Sequence, residues 1–383
     1  MPACRKRLTH RGQRMKRVRT ADLHPGMRTG EDVYSYNNQM ILPKNTILTD
    51  KMITRLEFYS VLAIRIAEDG DLLDEAPAPV DTSGPEIPLT NDISYSEKIK
   101  ASKEFQIFEQ QYLKTTEEFE KKLNNIATGE AALDVDSLMS TITELVPPDM
   151  SPASILNMLH NMRQYDDFTY MHCINVSLLN NVLGNWLGLN DHDIEILTLG
   201  GLLHDIGKLT VPDDIIRKPS KLSPVEYNII KTHTVQGYKI LQKYSLDENI
   251  KDIALMHHER CDGSGYPLNL TADRISPYAK ITAINDVYDA MTAARIYRGP
   301  LCPFKVISVF ETEGYQKYDS KFILTFLEHI AESYMNNRVR LSNGKEGDVV
   351  FMNKNALSKP LVQCGNEFID LSRETDVYIE TFV

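Results

Sequence analysis

Residues 200–222 read GGLLHDIGKLTVPDDIIRKPSKL, residues 231–238 read KTHTVQGY, and residues 256–267 read MHHERCDGSGYP. They carry His204, Asp205, Lys208, His233, His257 and His258, and Asp286 follows in a similarly apolar setting. The run ahead of His204 (Ile194, Ile196, Leu197, Leu199, Leu202, Leu203) is spaced densely enough for a buried helix. An aspartate set against such a face is costly to desolvate unless a cation compensates it. Adjacent helical residues point about 100° apart, so His204 and Asp205 can ligate together only where metals lie between their directions. There one carboxylate can bridge two ions. Imidazoles and carboxylates without thiolate favour Fe, Mn or Zn over Mg, Ca or a structural zinc finger. A lone His-Asp dipeptide is more often a helix-surface pair; the density of ligand types here argues against that.

Lys208 lies four residues after His204, hence on the same helical face. An ammonium beside metal ligands calls for an anion between them, and phosphate is the natural one; the plain alternative is a helix C-terminal lysine facing the dipole. His257 and His258 follow an apolar turn (Ile253, Ala254, Leu255, Met256), and CDGSGYP after them is a loop by its Gly and Pro content. Two surface histidines would be the default reading of that pair taken alone.

In order and spacing, HDIGK at 204–208, KTHTVQG at 231–237, HHERCDGSGYP at 257–267 and NDVYDAMTAARIYR at 285–298 resemble the HD-GYP family, metal-dependent phosphodiesterases of the HD superfamily that hydrolyse cyclic di-GMP. The resemblance spans about residues 150–335. It implies a mainly α catalytic domain and assigns His172, otherwise an ordinary histidine in an apolar helix, as the first metal ligand. His172, His204, Asp205 and Asp286 would share one metal, with His233, His257 and His258 around a second and Asp205 bridging. Asp286 and Asp289 fall three apart on one helical face; Asp289 is expected to orient a ligand or the substrate. Arg295 and Arg298 are expected to grip the dinucleotide's other phosphate or a guanine, and Gly265, Tyr266 and Pro267 to shape a loop over the site.

Three positions depart from the family pattern. Phe168 stands four before His172, where some members carry a glutamate that supports a third metal, so two ions, Fe or Mn, are expected. Thr234 replaces the proline after the histidine of KxHP, and Cys261 replaces a bulky aromatic after HHER. The implied chemistry is two-metal phosphoester hydrolysis, with Lys208 neutralising a phosphoryl oxygen and Asp205 holding both ions. The expected product is linear pGpG; the missing glutamate weighs against onward cleavage to GMP. Two rivals stand beside this: a cyclic di-GMP receptor that does not turn over, suggested by Phe168 and Thr234, and an HD hydrolase of another cyclic nucleotide.

The rest of the chain frames this domain. With 383 residues, 42% hydrophobic and 25% charged, it has an ordinary soluble composition with room for several domains. A net charge of −11 excludes general binding to nucleic-acid polymers. Five scattered cysteines without a CxxC read as reduced thiols in a bacterial cytosol. Residues 1–17 form a basic extension without an apolar run, hence neither signal peptide nor transmembrane anchor, with Met15 read as the true start and ordered pattern from Val18. Residues 18–67 read as a small β-rich module with turns at Pro25-Gly26 and Asn37-Asn38, and residues 68–93 as an acidic, Pro-rich linker.

Residues 94–149 read as a helical connector whose first helix, Ser94 to Asn125, carries a stripe of Phe105, Phe108, Tyr112, Phe119, Leu123 and Ile126. Such a stripe packs on a neighbour; an imperfect heptad stands against a parallel coiled coil, although a homodimer and signalling-protein partners are expected. A second helix spans about Asp134 to Leu145. Residues 336–383, with alternation around an Asn343-Gly344 turn, form a C-terminal β module.

Overall fold

Caps and apolar spacing set the helices of this protein. The computed structural model describes residues 15–31, 33–34, 40–49, 52–53, 56, 63–67, 99–130, 132–147, 150–162, 168–216, 218, 222–293 and 301–383. Two units divide the chain, residues 1–91 and 92–383.

In the first unit, β1 (Met15–Arg19) pairs antiparallel with β4 (Ala63–Ala67), and β2 (Val33–Tyr34) with β3 (Met40–Leu42). Leu23, Leu42, Leu48, Leu56, Ile64 and Ile66 form its core. β1 includes residues ahead of Val18: main-chain pairing runs through Lys16 and Arg17 opposite Ile66 and Arg65, and such pairing needs no apolar side chain. The Asn37-Asn38 turn lies outside the described residues.

The second unit opens with α1 (Lys103–Thr128), which Ser102 caps by accepting the Phe105 amide and which Gly129 ends at φ 77°. Its apolar stripe is buried against its own chain, in one core with the helices that follow, and is therefore not free for a coiled coil. Next come α2 (Val135–Thr143), α3 (Pro152–Met162), α4 (Phe168–Trp186) and α5 (Asp191–Leu203). α4 packs along α5, and α1 lies on α4. Gly201 permits the first of these contacts, since a Cβ there would sit 2.6 Å from the Ser177 Cα. Then follow α6 (Pro224–Lys231), α7 (His233–Leu241), α8 (Glu248–Met256), α9 (Pro277–Thr292), α10 (Pro303–Val309) and α11 (Ser320–Glu332). α9 crosses both α4 and α8, so three helices converge where the histidines lie.

The chain ends in an antiparallel sheet of β5 (Arg338–Leu341), β6 (Glu346–Phe351), β7 (Leu361–Cys364), β8 (Glu367–Asp370) and β9 (Ile379–Phe382), ordered β8-β7-β6-β5-β9. Gly344, at φ 81°, turns the β5–β6 hairpin. Phe382 on β9 packs 5.0 Å from the Tyr334 ring and 5.1 Å from that of His160, fastening the sheet to the helices. Among the described residues no helix is long and apolar enough to cross a membrane.

Candidate metal centre

α5 stops at Leu203, and the backbone leaves helical geometry at Asp205, with φ −102° and ψ 9°, before a 3-10 turn from Ile206 to Thr210. This tighter turn changes the place of Lys208: it is set by Asp205, three residues back, and its ammonium is ion-paired to Asp205 Oδ2. The turn also packs under α7. A Cβ on Gly207 would lie 1.9 Å from the His233 carbonyl oxygen, so the glycine is what lets His233 approach.

Two groups of imidazole and carboxylate atoms assemble there, His172, His204 and Asp286 in one and Asp205, His233, His257 and His258 in the other, and the Cys173 thiol lies close enough to His204 and Asp205 to make a third. Asp205 stands between the first two. Its Oδ2 lies 3.3 Å from His204 Nε2 and 3.6 Å from His172 Nε2, while its Oδ1 lies 3.3 Å from His233 Nε2 and 3.7 Å from His257 Nε2. Asp286 reaches 3.1 Å to His172 Nε2 and 3.4 Å to His258 Nδ1.

Hydrogen bonds outside the cluster fix the rings. His204 Nδ1 lies 2.7 Å from the Gly201 carbonyl, His233 Nδ1 2.7 Å from that of Ile230, and His257 Nδ1 3.0 Å from that of Ile253. A carbonyl oxygen only accepts, so Nδ1 carries the hydrogen and each Nε2 lone pair faces the centre. His172 Nδ1 donates likewise to Asp289 Oδ2 at 2.7 Å. Asp289 therefore holds the His172 ring, and its Oδ1 accepts from Asn175 Nδ2 at 3.0 Å. His204 Nε2 and Asp205 Oδ1 are each buried without a hydrogen-bond partner, the condition that a cation in each ligand group would relieve. This donor set suits divalent ions that favour imidazole and carboxylate.

Electrostatics agree with that fit. Burial would raise the Asp205 carboxyl, but the Lys208 ammonium and the His204 imidazole outweigh it and hold the group well below the carboxylate range. Asp286 is held low against burial by its hydrogen bond with His172. Burial lowers His233 and His257, and brings His258 down to about 3 despite Asp286 beside it, so these rings are neutral. His172 goes the other way: burial lowers it, but hydrogen bonds to Asp286 and Asp289 lift it to about 9. At pH 7 the metal-free His172 is thus protonated and must lose its proton to ligate. Metal uptake should release that proton, with affinity climbing as pH rises toward 9. Calorimetry of Mn²⁺ binding in buffers of different ionisation enthalpy checks this; a buffer-independent heat would refute it.

The loop after His258 closes one side. Glu259, which is buried, accepts the Leu268 amide at 2.6 Å and the Leu270 amide at 2.9 Å. Gly265 passes directly over this residue, where a Cβ would meet the Glu259 Cα at 2.4 Å. Tyr266, which precedes a cis bond to Pro267, lays its ring 4.7 Å from that of His258. Thr234 is fully buried and donates through Oγ1 to the Lys231 carbonyl at 3.1 Å, tying back the turn where the family pattern has proline. Cys261 hydrogen-bonds through its amide to the Lys317 carbonyl at 2.8 Å. Arg295, Arg298 and the Phe168 side chain lie outside the described residues. The sequence left Glu259, Asn175 and Tyr112 unmarked. Asn175 was legible in principle, three residues from His172 and polar in an apolar helix.

The helices thus bring together His/Asp clusters that could hold metal ions. Residues 150–322 match the family described as HD domain, and the chain is similar to proteins named as cyclic di-GMP phosphodiesterases. The chain is 32% identical over 234 residues to a cyclic di-GMP phosphodiesterase of Pseudomonas aeruginosa, covering 61% of this chain and 56% of that one. It is 40% identical over 146 residues to a 3′3′-cGAMP-specific phosphodiesterase of Vibrio cholerae, covering 38% and 34%. A cyclic di-GMP phosphodiesterase response regulator of Xanthomonas campestris is 43% identical over 115 residues, covering 29% and 30%. The chain thus spans between 30% and 56% of the length of these relatives. Among solved structures, an HDG"Y"P protein of Bdellovibrio bacteriovorus aligns with TM-score 0.45 and 18% identity over 83% of this chain and 99% of that one.

Proposed function

We propose that this chain is a metal-dependent phosphodiesterase that opens cyclic di-GMP to linear pGpG. The observation that carries the reading is Asp205, buried, with one carboxylate oxygen toward each ligand group. His172, His204, Asp205 and Asp286 would hold one ion, and Asp205, His233, His257 and His258 the other; Fe or Mn suits these donors. Two such ions, when bound, lower the pKa of a water and offset charge on the phosphate oxygens.

The chain's own residues supply the rest. Lys208 keeps a quarter of its side chain exposed and, although burial would lower it, Asp205 holds it charged, so it can meet a phosphoryl oxygen from the open side. The Tyr266 ring, its hydroxyl kept protonated by burial, forms with Gly265 and Pro267 a wall beside His258. Arg295 and Arg298 enter the proposal on the sequence resemblance alone, as contacts to the dinucleotide's other phosphate or a guanine. A bacterial cytosol, a homodimer and signalling-protein partners belong to the same proposal.

A second reading, hydrolysis of another cyclic dinucleotide, is favoured by the relative that is specific for 3′3′-cGAMP. Incubation with cyclic di-GMP or 3′3′-cGAMP and Mn²⁺ or Fe²⁺, with products followed by chromatography, separates the two. Metal-dependent pGpG supports the first; preferential opening of cGAMP replaces it by the second. No product from either, with dinucleotide binding retained, moves the chain to the receptors. Lys208→Ala should lower kcat about a hundredfold with metal content unchanged; full turnover in that variant would remove Lys208 from the chemistry.

A further inference from the structure

His172 is the ligand whose outer hydrogen bond goes to a side chain that is itself held in place, and the chain of contacts runs well beyond the HD domain. Asp289 Oδ2 accepts from His172 Nδ1 at 2.7 Å, and Asp289 Oδ1 accepts from Asn175 Nδ2 at 3.0 Å. A carboxylate cannot donate, so the Asn175 amide must present its nitrogen to Asp289 and its oxygen away from it. That oxygen faces the Tyr112 hydroxyl at 2.5 Å. The hydroxyl also lies 3.1 Å from the Met171 carbonyl, but it has one hydrogen, and the amide oxygen is the nearer acceptor. Tyr112, Asn175 and Asp289 are all buried, at 0%, 8% and 2% exposure, so water does not stand in for a missing partner.

Tyr112 sits on α1, ahead of residues 150–322 that match the HD family. We propose, building on the metal reading above, that Tyr112 is a positioning residue for the metal centre: through Asn175 and Asp289 it fixes the ring and tautomer of His172, so that α1 is part of the site and not only a neighbour of it. Without the hydroxyl, the Asn175 oxygen loses its donor and the amide is free to turn. Asp289 then shares its two oxygens differently, and the His172 Nε2 lone pair is no longer held toward the ions. Outer partners of metal-bound histidines commonly alter metal affinity by about 10- to 100-fold.

The test measures Mn²⁺ affinity by calorimetry on the full chain, beside urea unfolding of the metal-free protein. Tyr112→Phe removes the hydroxyl alone. Tyr244→Phe is its control, because the Tyr244 hydroxyl anchors the same helix by donating to the Ile126 carbonyl at 2.9 Å. The expected result is an affinity about tenfold weaker in Tyr112→Phe and unchanged in Tyr244→Phe. Asn175→Ala, which breaks the relay at its middle, should weaken binding similarly and serves if Tyr112→Phe does not fold. Wild-type affinity in both relay variants overturns the proposal while leaving the metal site standing. An equal loss in Tyr244→Phe also overturns it, since the effect would then be one of general packing. A wild-type chain that binds no Mn²⁺ or Fe²⁺ fails earlier, at the metal reading itself, and takes the proposal with it.

Discussion

On the proposed function, Asp205→Asn should leave a folded protein that holds fewer than one metal ion per chain and turns over cyclic di-GMP about a thousandfold more slowly or worse. The substitution preserves shape, so the helices around it need not move. It removes the negative charge that lies within 3.3 to 3.7 Å of four imidazole nitrogens. An amide offers one oxygen, not two equivalent ones, and its nitrogen would point lone-pair-less hydrogens at one ligand group. Both groups therefore lose, which distinguishes this position from any single histidine. Lys208, left without its partner, can swing its partly exposed ammonium toward solvent, so the cost to folding is modest. Metal analysis after purification in Mn²⁺, together with product chromatography, checks the outcome. Two ions and near-normal turnover in Asp205→Asn would end the bridging role.

The second large effect is expected from the smallest change. Gly207→Ala puts a methyl group where the His233 carbonyl oxygen already is, 1.9 Å from the new Cβ, with the Gly237 amide nitrogen only 2.5 Å away. Both obstacles are main chain and neither can rotate aside. α7 must then back away from the 3-10 turn, and His233 goes with it. Overpacking of this kind costs about 3 kcal/mol or more, which for a domain of this size lowers Tm by roughly 6 °C or more. Metal affinity should fall in parallel because the two ligand groups part. Calorimetric melting of the metal-free and metal-loaded protein measures both; a Gly207→Ala protein with the parent's Tm would show that the turn yields more easily than its contacts suggest.

Much of the site was legible because its ligands are chemically conspicuous in an apolar frame: His204 and Asp205 follow a run of buried aliphatics, and His257 and His258 another. His172 was not legible from its own surroundings, since Val176 and Leu179 make it look like any core histidine, and only the family resemblance marked it. The position of Lys208 was misjudged in its geometry, because nothing in HDIGK announces that the α-helix tightens at Asp205; that follows from α7 packing on Gly207, a tertiary cause. Glu259 and Tyr112 escaped for a related reason. One is an acid inside a polar loop and the other an aromatic in a stripe of aromatics, and their partners, the Leu268 and Leu270 amides and the Asn175 side chain, are set by the fold. The helical stripe of α1 and the β5–β6 hairpin were clear from period and turn chemistry alone, whereas the start of β1 was hidden by Lys16 and Arg17.

Glu259 gives the loop a footing of its own. The two amides it accepts belong to Leu268 and Leu270, and neither bond involves a side chain of the two ligand groups. The wall that a nucleobase would meet is thus held by Glu259 as well as by Tyr266, whose ring lies 4.7 Å from that of His258 and whose amide donates to the His258 carbonyl at 3.2 Å. For anyone redesigning the protein, this makes Asp262 and Ser264, exposed at the loop's outer edge, the positions to vary. Changes there can retune which ligand is admitted while the machinery beneath is inherited intact.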